Sequence, residues 1–277
     1  MFTPNLRSLE RGIAGGGVFE YDFDYVFDHS VDEAIPGVSF NFPITFELHR
    51  SDRWPAFLLD IMPTGAGRRI WLRQLGLRDG AAADWELLVK GAGNPLGNIR
   101  IAEAVIPLAG PHPGFTQEEI VEKNADFIEY AEARGAVVAG ATDVQGDAPK
   151  FLLVRDRNRR WHPDGALADR DVLDCWLVKF PRGKTDADRA VLRNEAPYLE
   201  VARSFGLRVG SPLEFIDDCL FTPRFDRSAV PAGLVRHGLE TLCSAAGIAE
   251  FGKRGDHNAH SDEVGRLFRR KSAGCSG

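Results

Sequence analysis

The sequence predicts a protein of the α+β class. Residues 19–27 alternate between aromatic and acidic side chains almost throughout, which is typical of a strand with one buried face. Two short apolar runs, 151–154 and 175–178, have the length and composition of buried strands. Helices are expected as well, because Thr116 and Glu119 have the spacing of a capping box, the signature of a helix start. A chain of 277 residues can form one large domain or two ordinary ones.

The N-terminal part carries further strand and helix signals. Residues 40–48 repeat the aromatic alternation, and Pro43 directs this second strand towards a sheet edge, since proline has no N–H to donate. Short helices are predicted at 54–62 and 67–76, separated by the Pro- and Gly-rich turn 63–67. That turn could also form a phosphate nest, but a plain corner between two helices is the simpler interpretation.

A linker separates the predicted domains. Before it, a helix is predicted to end near Lys90, followed by a glycine-rich turn and a strand at 98–105. The Pro- and Gly-rich segment 107–114 then marks a boundary, and the capping box after it opens a helix at 117–134. The predicted domains are residues 1–108, 115–235 and 236–277.

Composition excludes several classes of protein. The net charge of −6 and the pI near 5.7 argue against a nucleic-acid-binding surface spread over the chain. The N-terminus lacks a signal-peptide pattern, and no stretch approaches the ~18 apolar residues of a membrane span. The cysteines form no C-x-x-C pair, which suits free thiols in a reducing compartment. They are Cys175, Cys219, Cys243 and Cys275. We therefore expect a cytoplasmic protein that contacts neither membrane nor nucleic acid directly.

A glycine-rich loop before the first buried strand is the leading candidate for a phosphate site. Gly140 and Gly146 let backbone N–H groups approach an anion closely. Thr142 and Gln145 could hydrogen-bond phosphate oxygens, and Lys150 closes the loop with a positive charge. A solvated hairpin loop is the alternative interpretation.

The charges near this loop decide what it can bind. Asp143 and Asp147 repel phosphate unless magnesium lies between them. Lys179, at the end of the second apolar strand, is a cation in a nearly buried position and needs a negative partner. The loop and Lys179 together predict a phosphate-binding site on neighbouring strands, the arrangement of a kinase N-terminal lobe.

A helix after the second apolar strand supplies a partner for Lys179. Asn194 is a good N-cap, which would place Glu195 in the first turn and Pro197 where proline is tolerated. Glu195 could then hold Lys179 against the α- and β-phosphates, as the lysine–glutamate pair does in protein kinases. A structural ion pair without a ligand is the alternative. Gly206 is expected to end the helix. The inward face of this helix is predicted to carry Leu199, Ala202 and Phe205.

Four segments resemble, in order, motifs of the HipA family of serine/threonine kinases, the toxin half of many bacterial toxin–antitoxin pairs. The segments are GATDVQGDAPKFLL (140–153), WLVKF (176–180), NEAPYLEVARSFGLRV (194–209) and PRFDR (223–227). The resemblance reaches back to FLLDIMPTGAGRR (57–69) and DWELLVKGAGNPLGNIRI (84–101), so it covers most of residues 40–260.

The resemblance implies a HipA-like N-terminal domain, a kinase-like N-lobe and an incomplete helical C-lobe. It implies that ATP and Mg²⁺ bind through the glycine-rich loop and Lys179, and that Asp143 stands near the family's regulatory serine, which puts that switch in doubt. The PRFDR residues Arg224, Asp226 and Arg227 would have an architectural role beside the cleft. The implied partners are a helix-turn-helix antitoxin and an unidentified protein substrate.

Phosphoryl transfer needs a carboxylate that orients the attacking hydroxyl and another that holds magnesium. In this family they belong to a G-N-x-D-x-H-x-x-N segment several dozen residues beyond PRFDR and to a later acidic motif. The sequence reaches Gly277 without either, and GDHNAH (255–260) has similar letters in another order, which we interpret as chance. The expectation is a truncated kinase, inactive alone, with no catalytic or metal-binding residue. The alternative is a non-catalytic module, a pseudokinase that binds nucleotide or antitoxin.

Overall fold

The computed structural model describes residues 2–6, 9–30, 37–105, 112–133 and 149–250. The mixture of helices and strands confirms the α+β class. In chain order the elements are β1 (Phe2–Leu6), β2 (Gly17–Tyr21), α1 (Phe23–His29), β3 (His49–Ser51), α2 (Ala56–Ile61), α3 (Gly65–Leu75), α4 (Asp84–Gly91), α5 (Gln117–Lys123), α6 (Phe127–Ala133), β4 (Lys150–Asp156), β5 (Trp161–Pro163), β6 (Val172–Lys179), α7 (Asp186–Ser204), β7 (Glu214–Ile216), β8 (Cys219–Pro223), β9 (Arg227–Val230), β10 (Gly233–Arg236) and α8 (Leu242–Ala245).

The chain divides into two compact units. The first contains Met1–Ile61, Arg78–Glu86 and Glu240–Gly277, and the second contains Met62–Leu77 and Leu87–Leu239. The segment 106–111, most of the predicted linker, lies outside the described residues. The domain limits drawn from the sequence stay predictions.

In the first unit, β2 pairs with both β1 and β3 in an antiparallel sheet, and it ends at Tyr21. The strand predicted over 19–27 is wrong beyond that point. The Asp22 side chain caps α1 by accepting a hydrogen bond from the backbone N–H of Tyr25 at 3.3 Å. Large side chains at this spacing fit a helix as well as a strand, and α1 buries Val26. The Asp22 cap favours the helix over the strand for residues 23–27.

The strand predicted over 40–48 is also wrong. In this described segment the backbone forms an isolated bridge between Ser39 and Phe42, and the strand comes later, at β3. The Glu240 carboxylate holds the loop by accepting hydrogen bonds from Ser39 Oγ at 2.6 Å and from the Phe40 N–H at 2.8 Å. Glu240 thereby satisfies the Phe40 N–H, which in a sheet would donate to a neighbouring strand.

Five antiparallel strands form the main sheet of the second unit, in the order β5-β4-β6-β8-β7. Strands β4 and β6 contain the apolar runs 151–154 and 175–178, so both strand predictions are confirmed. The core of this unit includes Ile120, Phe127, Phe151, Trp176, Val178 and Phe221. Residues from α5 and α6 therefore pack with the sheet.

The capping box is confirmed. Thr116 Oγ1 accepts a hydrogen bond from the Glu119 N–H at 3.1 Å, and the Glu119 carboxylate accepts one from the Thr116 N–H at 2.8 Å. The helix predicted at 117–134 is interrupted after α5, where Asn124 adopts a φ of +49°. Phe127, after the break, is fully buried.

The other predicted helices are confirmed as α2, α3 and α4. The strand predicted at 98–105 is wrong, because Ala102–Ala104 form a 3-10 turn. This turn lies against Gly93, where a Cβ would come within 2.1 Å of the Ala104 carbonyl oxygen, so the close approach requires glycine. None of the helices in the described residues is both long and apolar enough to cross a bilayer.

Candidate functional site

Two of the residues predicted for the site, Lys150 and Lys179, lie on β4 and β6, which are neighbouring strands of the main sheet. In the antiparallel register of β4 and β6, Lys150 is directly opposite Lys179. Side chains directly opposite each other in such a pair project from the same face of the sheet. Two cations on one face give this end of the sheet a positive charge, which favours a bound anion.

An ion pair fixes Lys179. Its Nζ lies 2.5 Å from Oε2 of Glu195 on α7. The Lys179 side chain is 22% exposed and that of Glu195 is 33% exposed, so water still reaches the pair. The prediction that Glu195 meets Lys179 is confirmed as a contact. Its role towards a nucleotide stays a prediction.

Helix α7 places Glu195 differently from the sequence prediction. The helix begins at Asp186, where Thr185 and Asp188 form a second capping box, so Asn194 is not the N-cap. Glu195 therefore lies in the middle of α7, and Pro197 is inside the helix, where its missing N–H removes one backbone hydrogen bond. The spacing of Thr185 and Asp188 in the sequence indicates this helix start.

The inward face of α7 also differs from the prediction. Leu192 is the buried residue of this helix, while Leu199 and Ala202 are partly buried. Phe205 was predicted to point inward and is 81% exposed. Gly206 follows the helix with a φ of +78°, which confirms it as the residue that ends α7. Its left-handed backbone is one that a side chain would strain.

Beyond the two lysines, the next row on the same face of the sheet is mainly apolar, with Leu152 fully buried and Leu177 and Thr222 partly buried. Leu152, Leu177 and Thr222 form the next row, because Leu152 pairs with Leu177 and Leu177 pairs with Thr222. Thr222 Oγ1 is buried and has no hydrogen-bond partner among the described residues. A buried hydroxyl without a partner is costly, and a bound polar group or water would satisfy it. No pattern in the sequence singles out Thr222.

The predicted loop lies outside the described residues. Gly140, Thr142, Asp143, Gln145 and Gly146 all belong to that segment, whereas Lys150 has a described position, at the start of β4. The structure brings together Lys150, Lys179 and Glu195. Among the described residues, no group of three or more His, Cys, Asp or Glu side chains is arranged to hold a metal ion.

A buried ionic network lies at the end of β8. Arg224 donates to both carboxylate oxygens of Asp226, at 2.8 and 2.6 Å, and also to Asp164. Arg227 donates to the same Asp226 at 2.7 Å. Burial favours a neutral Asp226, but the Arg224 hydrogen bonds and the charges of both arginines outweigh it and hold the pKa of this carboxyl below its usual value. Burial, together with the charge of Arg224, lowers the pKa of Arg227 to about 10.

The network also binds the glycine-rich turn after α4. The Gly97 N–H donates to Asp226 Oδ2 at 2.8 Å, and Arg227 donates to the carbonyl oxygens of Gly97 at 2.7 Å and Pro95 at 3.1 Å. These contacts join segments that are more than a hundred residues apart in the chain. They account physically for an architectural role of the PRFDR segment beside the β6–β8 pair.

The cysteines of the second unit are not poised for chemistry. Cys175 and Cys219 are buried free thiols, and burial raises the pKa of each to about 12. Their thiolate fraction near neutral pH is therefore very small, which excludes nucleophilic roles under ordinary conditions.

Residues 142–273 match the family model of the HipA-like C-terminal domain. This stretch is similar to that domain. The match covers just under half of the chain and includes Lys179, Glu195 and the PRFDR segment. It supports the resemblance to the HipA family, whose members are toxin kinases. No curated protein matches the chain.

Proposed function

We propose that the second unit binds ATP with magnesium in the manner of a HipA-type serine/threonine kinase. The observation that carries the proposal is the placement of Lys179, which is held by Glu195 and lies across from Lys150 at the end of an apolar sheet face. Two cations favour the polyphosphate, and the apolar row with its unsatisfied Thr222 hydroxyl suits a base or ribose. The HipA-like match over the same residues supports this interpretation.

Each residue has a separate task in this proposal. Lys179 contacts the α- and β-phosphates, and Glu195 keeps its ammonium group in place. Lys150 adds a second positive charge, while Gly140, Thr142, Gln145 and Gly146 would cover the phosphates with backbone and side-chain donors. Asp143 would come near the phosphates only with magnesium between them, because a carboxylate and a phosphate repel each other. When bound, magnesium neutralises phosphate charge.

Transfer of phosphate to a protein hydroxyl would need further residues. The resemblance implies that the carboxylates that orient the hydroxyl and hold magnesium belong to a G-N-x-D-x-H-x-x-N segment and a later acidic motif, and these 277 residues contain neither. We therefore propose that these 277 residues bind nucleotide without transferring phosphate by themselves.

Isothermal titration with Mg–ATP tests the proposal. We expect measurable binding by the wild-type protein and a loss of at least about tenfold in affinity for Lys179→Ala, since the phosphate contact and the ordered ion pair are both removed. Lys184→Ala, an exposed lysine of the same unit, is the matched control and should bind as the wild type does. Equal heats from the wild type and Lys179→Ala would refute nucleotide binding at this site.

The helix-turn-helix antitoxin implied by the resemblance stays a proposal for the partner. A non-catalytic antitoxin-binding module is the second candidate function. Pull-down of a helix-turn-helix protein encoded beside this chain, undiminished by Lys179→Ala, would favour that module over the kinase interpretation. Phosphate transfer to any protein would favour the enzyme.

A further inference from the structure

An exposed group of aromatic side chains stands out on the first unit. Phe23 and Phe27 of α1 are 67% and 72% exposed, and Phe46 is 60% exposed. We call these three residues the aromatic patch. The rings of Phe23 and Phe46 are in contact, with centroids 5.2 Å apart. Phe23 and Phe27 are four residues apart in the helix and therefore share one face.

Core packing does not explain the patch. Helix α1 buries Val26, while the described part of the unit leaves most of the surface of the three rings in solvent. With about 200 Å² for a whole phenylalanine, the patch exposes roughly 400 Å² of aromatic surface. A contiguous apolar patch of this size on a soluble protein commonly marks an interaction site. Aromatic side chains are also the residues that most often anchor protein interfaces.

The charges around the patch identify the kind of partner. Asp24 and Asp28 are exposed on α1 next to the two phenylalanines, and Glu47 follows Phe46 directly. None of the three forms an ion pair with another described residue. Their charges are therefore available to an incoming cation. The chain as a whole is also negative, with a net charge of −6.

We infer that the aromatic patch is a docking site for a basic protein segment, one that presents apolar side chains flanked by lysine or arginine. The acidic rim attracts such a segment and disfavours an anionic lipid surface. It also disfavours a second copy of this chain, since the two rims would repel each other. The inference is independent of nucleotide binding, which concerns the second unit.

A binding assay with the full chain tests the inference. The probe is a short fluorescein-labelled peptide whose leucines and lysines repeat at helical spacing, and the control probe has glutamate in place of lysine. Fluorescence anisotropy is measured at about 50 mM and about 300 mM NaCl, because rim charges act more strongly at low salt. The first variant, Phe23→Ser/Phe27→Ser, removes two anchors, and the second, Asp24→Lys/Asp28→Lys, reverses the rim. Far-UV circular dichroism and thermal melts establish that both fold, as expected for exposed positions.

The expected result is binding of the basic peptide by the wild type and a loss of at least about tenfold in affinity in each variant. The loss in the charge variant should be larger at low salt. The control Val191→Ser/Tyr198→Ser, which removes two exposed apolar residues of α7, should leave the affinity unchanged.

Several outcomes would overturn the inference. Equal binding of the glutamate peptide would show that the acidic rim does not select a basic partner. Unchanged affinity in both patch variants would show that the peptide does not bind at the aromatic patch. A loss in the α7 control as large as in the phenylalanine variant would show that the probe is unspecific. Binding of the wild type to anionic vesicles that is lost in Phe23→Ser/Phe27→Ser would assign the patch to a membrane. A wild-type dimer in analytical ultracentrifugation that dissociates in the same variant would assign it to a second copy.

Discussion

Lys150 and Lys179 lie directly opposite each other in the antiparallel register of β4 and β6, two neighbouring strands of the second unit. Like charges in this position are unfavourable in a sheet unless a negative group meets them. Glu195 meets Lys179. We interpret the pair of cations as a binding site for a polyphosphate.

Lys150→Ala should weaken ATP binding by about tenfold and AMP binding much less, because the lysine acts on the phosphate chain rather than on the base. Isothermal titration of both nucleotides against the wild type and the variant measures the difference. Arg182→Ala, at an exposed position after β6, serves as a charge-matched control. An equal loss for ATP and AMP would mean that Lys150 affects the fold of the site and not the phosphates.

The Lys179–Glu195 ion pair should contribute about 1 kcal/mol to stability, because both side chains are partly exposed and water screens the pair. A double-mutant cycle with Lys179→Ala and Glu195→Ala, followed by urea unfolding, measures this coupling. The exposed pair Arg203–Glu200 within α7 is the comparison and should give about 0.3 kcal/mol. Coupling near zero for Lys179–Glu195 would show that the contact is not a stable feature in solution.

Arg224→Met should lower the free energy of unfolding by about 3–5 kcal/mol. The variant leaves the Asp164 carboxylate buried without its guanidinium partner and leaves Asp226 with Arg227 alone. Urea denaturation followed by tryptophan fluorescence measures the change. Arg170→Met is the control, since its side chain is 81% exposed, and it should change stability by less than about 0.5 kcal/mol. Similar unfolding curves for both variants would contradict the buried network.

The stability of the second unit should depend on the protonation of His162. Burial lowers the pKa of this histidine, and the nearby charges of His112 and Arg160 act in the same direction, while Asp156 at 3.4 Å opposes them. The folded protein therefore favours neutral His162, and the unfolded chain binds the proton more readily. The stabilising contribution is present above about pH 6.5 and is lost as the pH falls from there through the folded pKa.

Denaturation midpoints measured between about pH 5 and 8 test this dependence. The wild type should lose more stability than His162→Gln as the pH falls below about 6.5, because the variant lacks the titrating ring. His237→Gln, in which an exposed hydrogen bond to Ser228 is changed, is the control and should follow the wild type. Parallel curves for the wild type and His162→Gln would reject the role of His162.

Cys175 and Cys219 should resist alkylation in the native protein. With pKa values of about 12, less than about one thiol in a thousand is ionised at pH 8, and burial also blocks access. Iodoacetamide labelling with peptide mass spectrometry should leave both unmodified in buffer and modify both in guanidinium chloride. Rapid native labelling of either cysteine would show that the sheet opens far more readily than its packing implies.

Local signals in the sequence were sufficient to predict much of the secondary structure of the second unit. The apolar runs in β4 and β6, the capping box at Thr116 and the glycine after α7 act within a few residues, so neighbouring side chains alone reveal them. The meeting of Lys179 and Glu195 was also predicted, although the helix start was placed wrongly. Aromatic alternation misled the prediction at residues 19–27, because the Asp22 cap outweighed it.

By itself, the sequence determined the α+β class, the central strands and the candidate lysine. The tertiary structure alone decided that Lys150 faces Lys179, because strand register depends on the pairing of the whole sheet. It also decided that Arg227 and Asp226 bind a turn more than a hundred residues earlier in the chain. A buried charge must be paired with a group that is close to it in the folded core. Separation along the chain does not indicate which groups are close in the fold.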